Sequence, residues 1–528
     1  MHLIESTDHA GGRTRNYDLG THKFDTDTDS VVEVGGTFVA PGHTELIALA
    51  NATGHPIYNV SGAVAGKGRR KPRLGAPPGE WPWWYWGVDT TSKMRASVFL
   101  TKKGRLLFKT PSDLRKLFSN ATWAELEAAG VAVQAAADSI DCSHDTVKSS
   151  SAWFEHDSIT FEGWIQQHLQ HEESKAVLRN MNRGMIAQEA SQVSFLSTLK
   201  SLKGCWSAGA EDQYRVRGGT QAIPMTLATR VAASKLGHVT YSSPVRQIDS
   251  SSSSGGGGSN LEDTGKALIT VISDKVTIKC KYVVVTGPPP LVAAIAFTPP
   301  RALGHLQAQL LQRMPMGTSM KFFVTYATPW WRAAGFSGAV MASSWDQSWG
   351  GSGRINAGAG AGAGADATSA GWGDHFDQCM EHSPFDGTMA GHSSPHFALM
   401  CWIEGETNNH FYTLSDVQQR EHVLSFLSTA FNDTRAHTLA LEVVAHNWAD
   451  QQYARGAYTG YFPPGVQSQP ETWSAFAGLA TAPAGGLAQN VWLAGSDYTV
   501  GFGNGYIEGA IRGGYTAADT VAAAAGRS

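Results

Sequence analysis

Residues Val491 to Val521 constrain the fold of this 528-residue chain more than any other stretch. A short apolar run, Val491 to Ala494, reads as a buried strand. A glycine-rich turn follows, with Gly495, Gly501, Gly503 and Gly505. From about Tyr506 the apolar spacing becomes helical and continues through Ala510, Ile511, Tyr515, Ala518 and Val521. A strand entering a glycine turn that opens a helix gathers backbone N–H groups and the positive end of a helix dipole at one point. Such a point suits an electron-rich ligand, although the same arrangement also serves packing alone.

The other end of the chain supplies a second clue. In His2 to Arg15 a short apolar run ends in an acid, Glu5, with Ser6 after it and Gly11-Gly12-Arg13-Thr14 a little further on. An acid at the end of a strand suits the ribose hydroxyls of a dinucleotide. Gly11 and Gly12 let backbone approach a pyrophosphate, and Arg13 brings charge to it. Together the two stretches resemble the flavin-containing amine oxidase family, which includes the monoamine and polyamine oxidases. The resemblance continues through Val31–Pro41, Asp212–Val216, Tyr282–Pro290, Gly317–Trp331 and Asn447–Gly465, so it covers both ends and most of the middle in the family's order.

Length and composition agree with a large globular protein. Hydrophobic residues make up 42% and charged residues 16%, and the chain is long enough for two domains. The net charge of −4 gives no reason to expect nucleic acid as a partner. Lys67 to Arg73 is basic and Trp81, Trp83, Trp84, Tyr85 and Trp86 crowd together, but the charge run is short, and a packed aromatic cluster is the simpler reading. Five cysteines (Cys142, Cys205, Cys280, Cys379 and Cys401) lie scattered without CxxC spacing and are expected as reduced, buried thiols. No apolar run reaches the length of a membrane span, and neither a signal peptide nor a hydrophobic tail is expected, so a soluble protein of the cytoplasm or an organelle is expected.

The expected fold is α/β (α+β overall). A doubly wound, Rossmann-like FAD-binding domain takes residues 1–55, 212–290 and 448–528. It is interleaved with a substrate domain of mixed sheet and helices at 56–211 and 291–447. Helical patterns run over Ser112–Ser119, Ala121–Ala137, Phe161–Gln170, Glu173–Met181 and Val193–Leu202, and again from Thr44 through Ala50. Gly218-Gly219 precedes a helix with Pro224 near its first turn and Gly237 past its end. Strands are expected at His238–Tyr241, Tyr282–Val285 and Met320–Tyr326. A hairpin joins Ala267–Ile272 to Lys275–Cys280 through Ser273-Asp274. Residues 250–260 and 357–366 are low-complexity insertions.

The resemblance implies roles for individual residues. Glu5, Ser6, Gly11, Gly12, Arg13, Gly35, Gly36, Gly495, Ser496 and Asp497 would bind the dinucleotide, and the backbone of Val245 the adenine. The helix start at Gly505, Tyr506 and Ile507 would stabilise negative charge on the flavin ring. Lys321, by its flanking Gly317-Thr318-Ser319-Met320 and Phe322-Phe323, matches the lysine that holds a water against the flavin. A lone lysine on an apolar strand is otherwise a surface residue with a buried stem. Trp448, Tyr458 and Tyr506 are core residues by default; in the family two tyrosines wall the path of the amine, and electron-rich rings suit an amine nitrogen. Where relatives with covalent flavin have cysteine this chain has Ala457, so FAD is expected to be non-covalent.

The implied reaction is FAD-dependent oxidation of a primary or secondary amine to an imine, with oxygen reduced to hydrogen peroxide. Polyamine and L-amino-acid oxidation are alternatives, as is a relative that keeps only the fold as a non-catalytic protein. One feature departs from the pattern. The dinucleotide acid normally lies roughly 20 residues after a Gly-x-Gly-x-x-Gly turn, but only four residues precede Glu5. The sequence is therefore expected to be an N-terminally truncated version of a working oxidase, binding FAD weakly and releasing no peroxide as it stands.

Overall fold

The computed structural model describes residues 1–26, 28, 30–59, 96–101, 104–140, 151–203, 214–251, 268–342, 378–382, 397–472, 476, 490–499 and 501–526. The tryptophan-rich segment at 81–86, the insertion at 357–366 and all but the first two residues of 250–260 lie outside them.

The fold is α/β. Two short pairs of strands are parallel: His2–Ile4 pairs with His238–Thr240, and Val283–Val285 with Val491–Leu493. Among the described residues the two pairs share no backbone ladder. They do share a core, in which Ile4, Val283, Val285 and Val491 pack with Ile248, Ile269 and Val271 of the antiparallel strands Val245–Asp249 and Ile269–Ser273. The expected hairpin is present, with Ile269–Ser273 opposite Thr277–Cys280.

The remaining large element is a mixed seven-stranded sheet. Ser319–Tyr326 lies inside it, antiparallel to Phe397–Glu404 on one side and to Ala440–Asn447 on the other. Phe336–Ala342 and Ala96–Thr101 add a parallel pair within the same sheet. All eight residues of Ser319–Tyr326 are buried, as a strand covered on both faces requires.

Helices form where the apolar spacing predicts them. Thr44–Thr53, Asn120–Asp138, Phe161–His168, Glu172–Ile186, Phe195–Lys203 and Ala222–Ala233 all lie within a few residues of the sequence reading. The expected helix after Ser112 is confined to Pro111–Lys116, opened by Thr110 as a capping box with Asp113. The final helix, Ile507–Ala524, starts one residue after its N-cap, Tyr506. No described helix is long and apolar enough to cross a membrane.

One expectation is corrected. Cys379 and Cys401 are not reduced thiols but form a disulfide. Strands Gln378–Glu381 and Phe397–Glu404 run antiparallel with Cys379 directly opposite Cys401, which puts their Cα atoms 4.0 Å apart. The sequence carries no spacing signal for this pair, because the strand register creates it. Cys280 is a half-buried free thiol, and Cys142 and Cys205 lie outside the described residues.

Candidate active site

Arg13 joins three distant parts of the chain. Its guanidinium donates to the Tyr458 carbonyl at 2.6 Å, to Ser496 Oγ at 3.1 Å and to both carboxylate oxygens of Asp497. Asp497, only 2% exposed, also accepts from Thr459 Oγ1 at 2.7 Å and from the Gly460 N–H at 2.9 Å. A buried carboxylate needs such partners. The charge of Arg13 is thus already matched within the protein, and the residue ties the N-terminal turn to the strand end at Gly495 and to the tyrosine loop.

The turn itself is tight. Thr14 donates to the Gly11 carbonyl through both its N–H (3.0 Å) and its hydroxyl (2.9 Å). Gly35 and Gly36 donate to the carbonyls of Arg15 and Arg13. A Cβ on Gly35 would stand 2.6 Å from Arg15 N, so only glycine permits this approach. Gln221 ties the same turn to the Gly218-Gly219 loop by accepting the Asn16 N–H at 2.8 Å and donating to the Ala10 carbonyl at 3.0 Å.

Glu5 lies at the C-terminal end of a parallel strand. One carboxylate oxygen accepts both the N–H and the hydroxyl of Thr7, at 2.8 and 2.9 Å, and Ser6 is half-buried in the same turn. Ser243 donates to the Glu5 carbonyl, and Val245, two residues later, is half-buried at the start of its strand. Glu5, Ser6 and Val245 therefore lie together at one strand end, and Arg13, Ser496 and Asp497 lie together at another.

The tyrosine loops meet at Gly505. A Cβ there would lie 2.9 Å from Thr459 Cγ2, so the backbone of Gly505 packs directly on the residue after Tyr458. Tyr458 packs with Trp448, Ala454 and Ala457, while the Tyr506 ring lies 5.5 Å from that of His43. Ile507 touches the space a side chain on Gly36 would need, so the final helix begins against the glycine turn. Its N-cap, Tyr506, makes no side-chain capping bond.

Lys321 reaches the site from below. Its ammonium donates to Gly35 O at 2.5 Å, Thr37 Oγ1 at 2.8 Å and Glu33 O at 3.3 Å. It is 4% exposed, so the surface reading of this lysine is excluded. Phe38 and Trp402 face it with ring centroids 5.7 Å away. The Trp448 indole donates to the neighbouring Val34 carbonyl at 2.9 Å. Gly317, at the foot of the lysine strand, exchanges backbone bonds with Ala457 and Thr459.

Several residues here escaped the sequence reading. Glu33, Arg215 and His382 form a buried ionisable group beside Lys321. Burial pushes the Glu33 carboxyl up to about 7, against the opposing pull of Arg215 and Lys321. Burial, then those two cations, hold the His382 imidazole neutral. Burial likewise lowers His446, the cross-strand partner of Lys321, to about 3. Glu508 is fully buried within the final helix, where it accepts the Leu46 N–H at 2.8 Å and the Arg512 Nε–H at 2.7 Å. It thereby caps the helix Thr44–Thr53. An acid inside an apolar helical pattern is the only trace of that role in the sequence.

A strand-end acid, a glycine turn on which Gly12 (φ +57°) has open space around its Cβ position, and a helix start without a side-chain cap suit a dinucleotide with an electron-rich ring. The arrangement is one that a nucleotide-cofactor oxidoreductase would need.

Comparison with known proteins narrows the class. Residues 1–522 match the model for flavin containing amine oxidoreductases, and the chain belongs to that family. It is 23% identical to putrescine oxidase of Kocuria rosea over 478 residues, 88% of this chain and 80% of that protein. It is also 23% identical to the flavin-containing amine oxidase B of Bos taurus over 539 residues, 99% of this chain and 82% of that one. The structure of cyclohexylamine oxidase from Brevibacterium oxydans IH-35A superposes with a TM-score of 0.71 at 19% identity, covering 99% and 93% of the two chains. The cofactor is accordingly FAD, and the reaction is oxidation of an amine with oxygen as acceptor.

Proposed function

We propose that residues 1–55, 212–290 and 448–528 hold FAD non-covalently, and that 56–211 and 291–447 shape the amine site. Glu5 would bind the ribose, the Val245 backbone the adenine, and the turn at Ser6, Gly11, Gly12, Gly35 and Gly36 the diphosphate. Arg13, Gly495, Ser496 and Asp497 keep that turn in place. The start of the final helix, at Gly505, Tyr506 and Ile507, favours negative charge on the ring. When bound, FAD accepts the hydride of the amine and passes the electrons to oxygen. Tyr458 and Tyr506, with Trp448 behind them, orient a primary or secondary amine as the neutral base, because electron-rich rings suit its nitrogen. Lys321 supplies a fixed positive charge where oxygen is reduced.

The observation that carries this reading is the packing of Gly505 on Thr459, which sets the loops of Tyr458 and Tyr506 side by side above the lysine strand. A carboxylate-bearing substrate is disfavoured by the commitments of nearby arginines: Arg13 is bound to Asp497, and Arg183 to Glu189 at 3.3 Å beside Gly405. Peroxide release across benzylamine, tyramine, spermine and L-amino acids tests this. Simple amines are expected to exceed every amino acid, and the reverse order would move the assignment to an amino-acid oxidase. Acid precipitation should leave the flavin in the supernatant, since Ala457 offers no nucleophile to attach it.

A further inference from the structure

Four separate segments meet at Glu33. Glu33 ends the strand Val31–Glu33, Arg215 lies on Tyr214–Val216, Lys321 on Ser319–Tyr326, and His382 follows Gln378–Glu381. Their exposures are 3, 3, 4 and 4%. Glu33 serves the cluster with both its backbone and its side chain. Its carbonyl accepts from Lys321, Oε1 accepts the Thr220 N–H at 3.1 Å, and Oε2 lies 3.8 Å from Arg215 Nε and 3.9 Å from His382 Nε2. The Phe38 ring faces Arg215 at 5.3 Å and Lys321 at 5.7 Å, which keeps the surroundings apolar. Two buried cations are expensive to hold together without a counter-ion. Of the described titratable groups facing them, His382 and the cross-strand His446 are held neutral by burial, and Glu33 carries the carboxyl whose ionised form Arg215 and Lys321 favour.

We propose that Glu33 is a positioning residue for the oxygen step, the counter-ion that keeps Lys321 charged beside the permanently charged Arg215. This rests on the assignment of Lys321 to oxygen reduction made above. Arginine does not release its proton in proteins, whereas a buried lysine does so readily. Loss of the Glu33 charge therefore falls on Lys321, which would release its proton more readily and no longer favour negative charge on oxygen. Burial raises this carboxyl, and Arg215 and Lys321 both pull against it, so the two cations act on one shared group.

The test needs no flavin. In the flavin-free protein with ¹⁵N-labelled lysine, the Lys321 Nζ resonance, assigned with Lys321→Arg, is followed against pH. Glu33→Gln keeps an acceptor for the Thr220 N–H and should lower the Lys321 midpoint by about one unit or more. Glu33→Asp should hold it near that of the unaltered protein. Arg215→Met, which removes the competing cation, should raise it, and that opposite sign gives an independent reading should Glu33→Gln not fold. With FAD bound, Glu33→Gln should make reoxidation by oxygen fall off at lower pH while anaerobic reduction by amine keeps its profile. An unmoved midpoint in folded Glu33→Gln, or a lowered one in Arg215→Met, would overturn the proposal. If Lys321→Met leaves reoxidation unchanged, the oxygen role of the lysine fails instead, whatever the resonance does.

Discussion

Ser319–Tyr326 is paired along its whole length with Phe397–Glu404, from Ser319 opposite Glu404 to Tyr326 opposite Phe397, and from Met320 to Tyr326 with Ala440–Asn447. His2–Ile4 and Val491–Leu493 are three residues long, and each pairs on one side only among the described residues. The backbone ladder therefore places Lys321, whereas side chains tie down Asp497 and the glycine turn that follows Glu5. Arg13, Gln221 and Glu508 substitute for the ladder on the cofactor side, each joining segments more than 200 residues apart. The cofactor side should accordingly be the more fragile half, and single polar side chains there should matter more than any on the sheet.

Arg13→Ala gives the largest expected effect. It leaves Asp497 buried with only neutral donors, which costs about 3–5 kcal/mol. Thermal unfolding should shift down by about 5 °C, and the affinity for FAD should fall. A shift of only a degree or two would mean that the ladder, not the side chains, holds this half.

Removing the disulfide should cost less, about 2–4 kcal/mol from a loop of 22 residues. The strand pairing around Cys379 and Cys401 persists without it, so Cys379→Ala with Cys401→Ala should lower the melting temperature yet retain FAD. Loss of FAD in that variant would show that the two halves do not respond separately.

Lys321→Met should change chemistry more than stability. Replacing the ammonium with an apolar chain of similar length is expected to slow reoxidation by oxygen about 100-fold and to leave anaerobic reduction by amine nearly unchanged. Stopped-flow measurement of the two half-reactions decides it; equal slowing of both would place the lysine in amine positioning instead.

The same contrast explains what the sequence disclosed. The strand, turn and helix of Val491 to Val521 were legible because local spacing and glycine placement determine them, and Ile507–Ala524 starts where the spacing predicts. The Lys321 strand was legible as an apolar run, but the depth of its lysine was legible only through the flanking resemblance. The pairing of Arg13 with Asp497 spans 484 positions and leaves no mark at either end. The cluster of Glu33, Arg215 and His382 draws one residue from each of three remote segments, so no window of sequence contains it. Cys379 and Cys401 became partners through strand register, which composition does not encode. Local periodicity revealed the elements, and the long-range polar contacts that make them a site came from the fold.

The most direct test of the account is an oxygen-free titration of the FAD-loaded, 528-residue protein with the best amine of the panel, followed by admission of air. Against the expectation drawn from the four residues before Glu5, the account predicts that the oxidised-flavin absorption disappears in proportion to amine added, then returns with one equivalent of hydrogen peroxide per flavin. Protein that retains FAD but stays oxidised with every amine would contradict it.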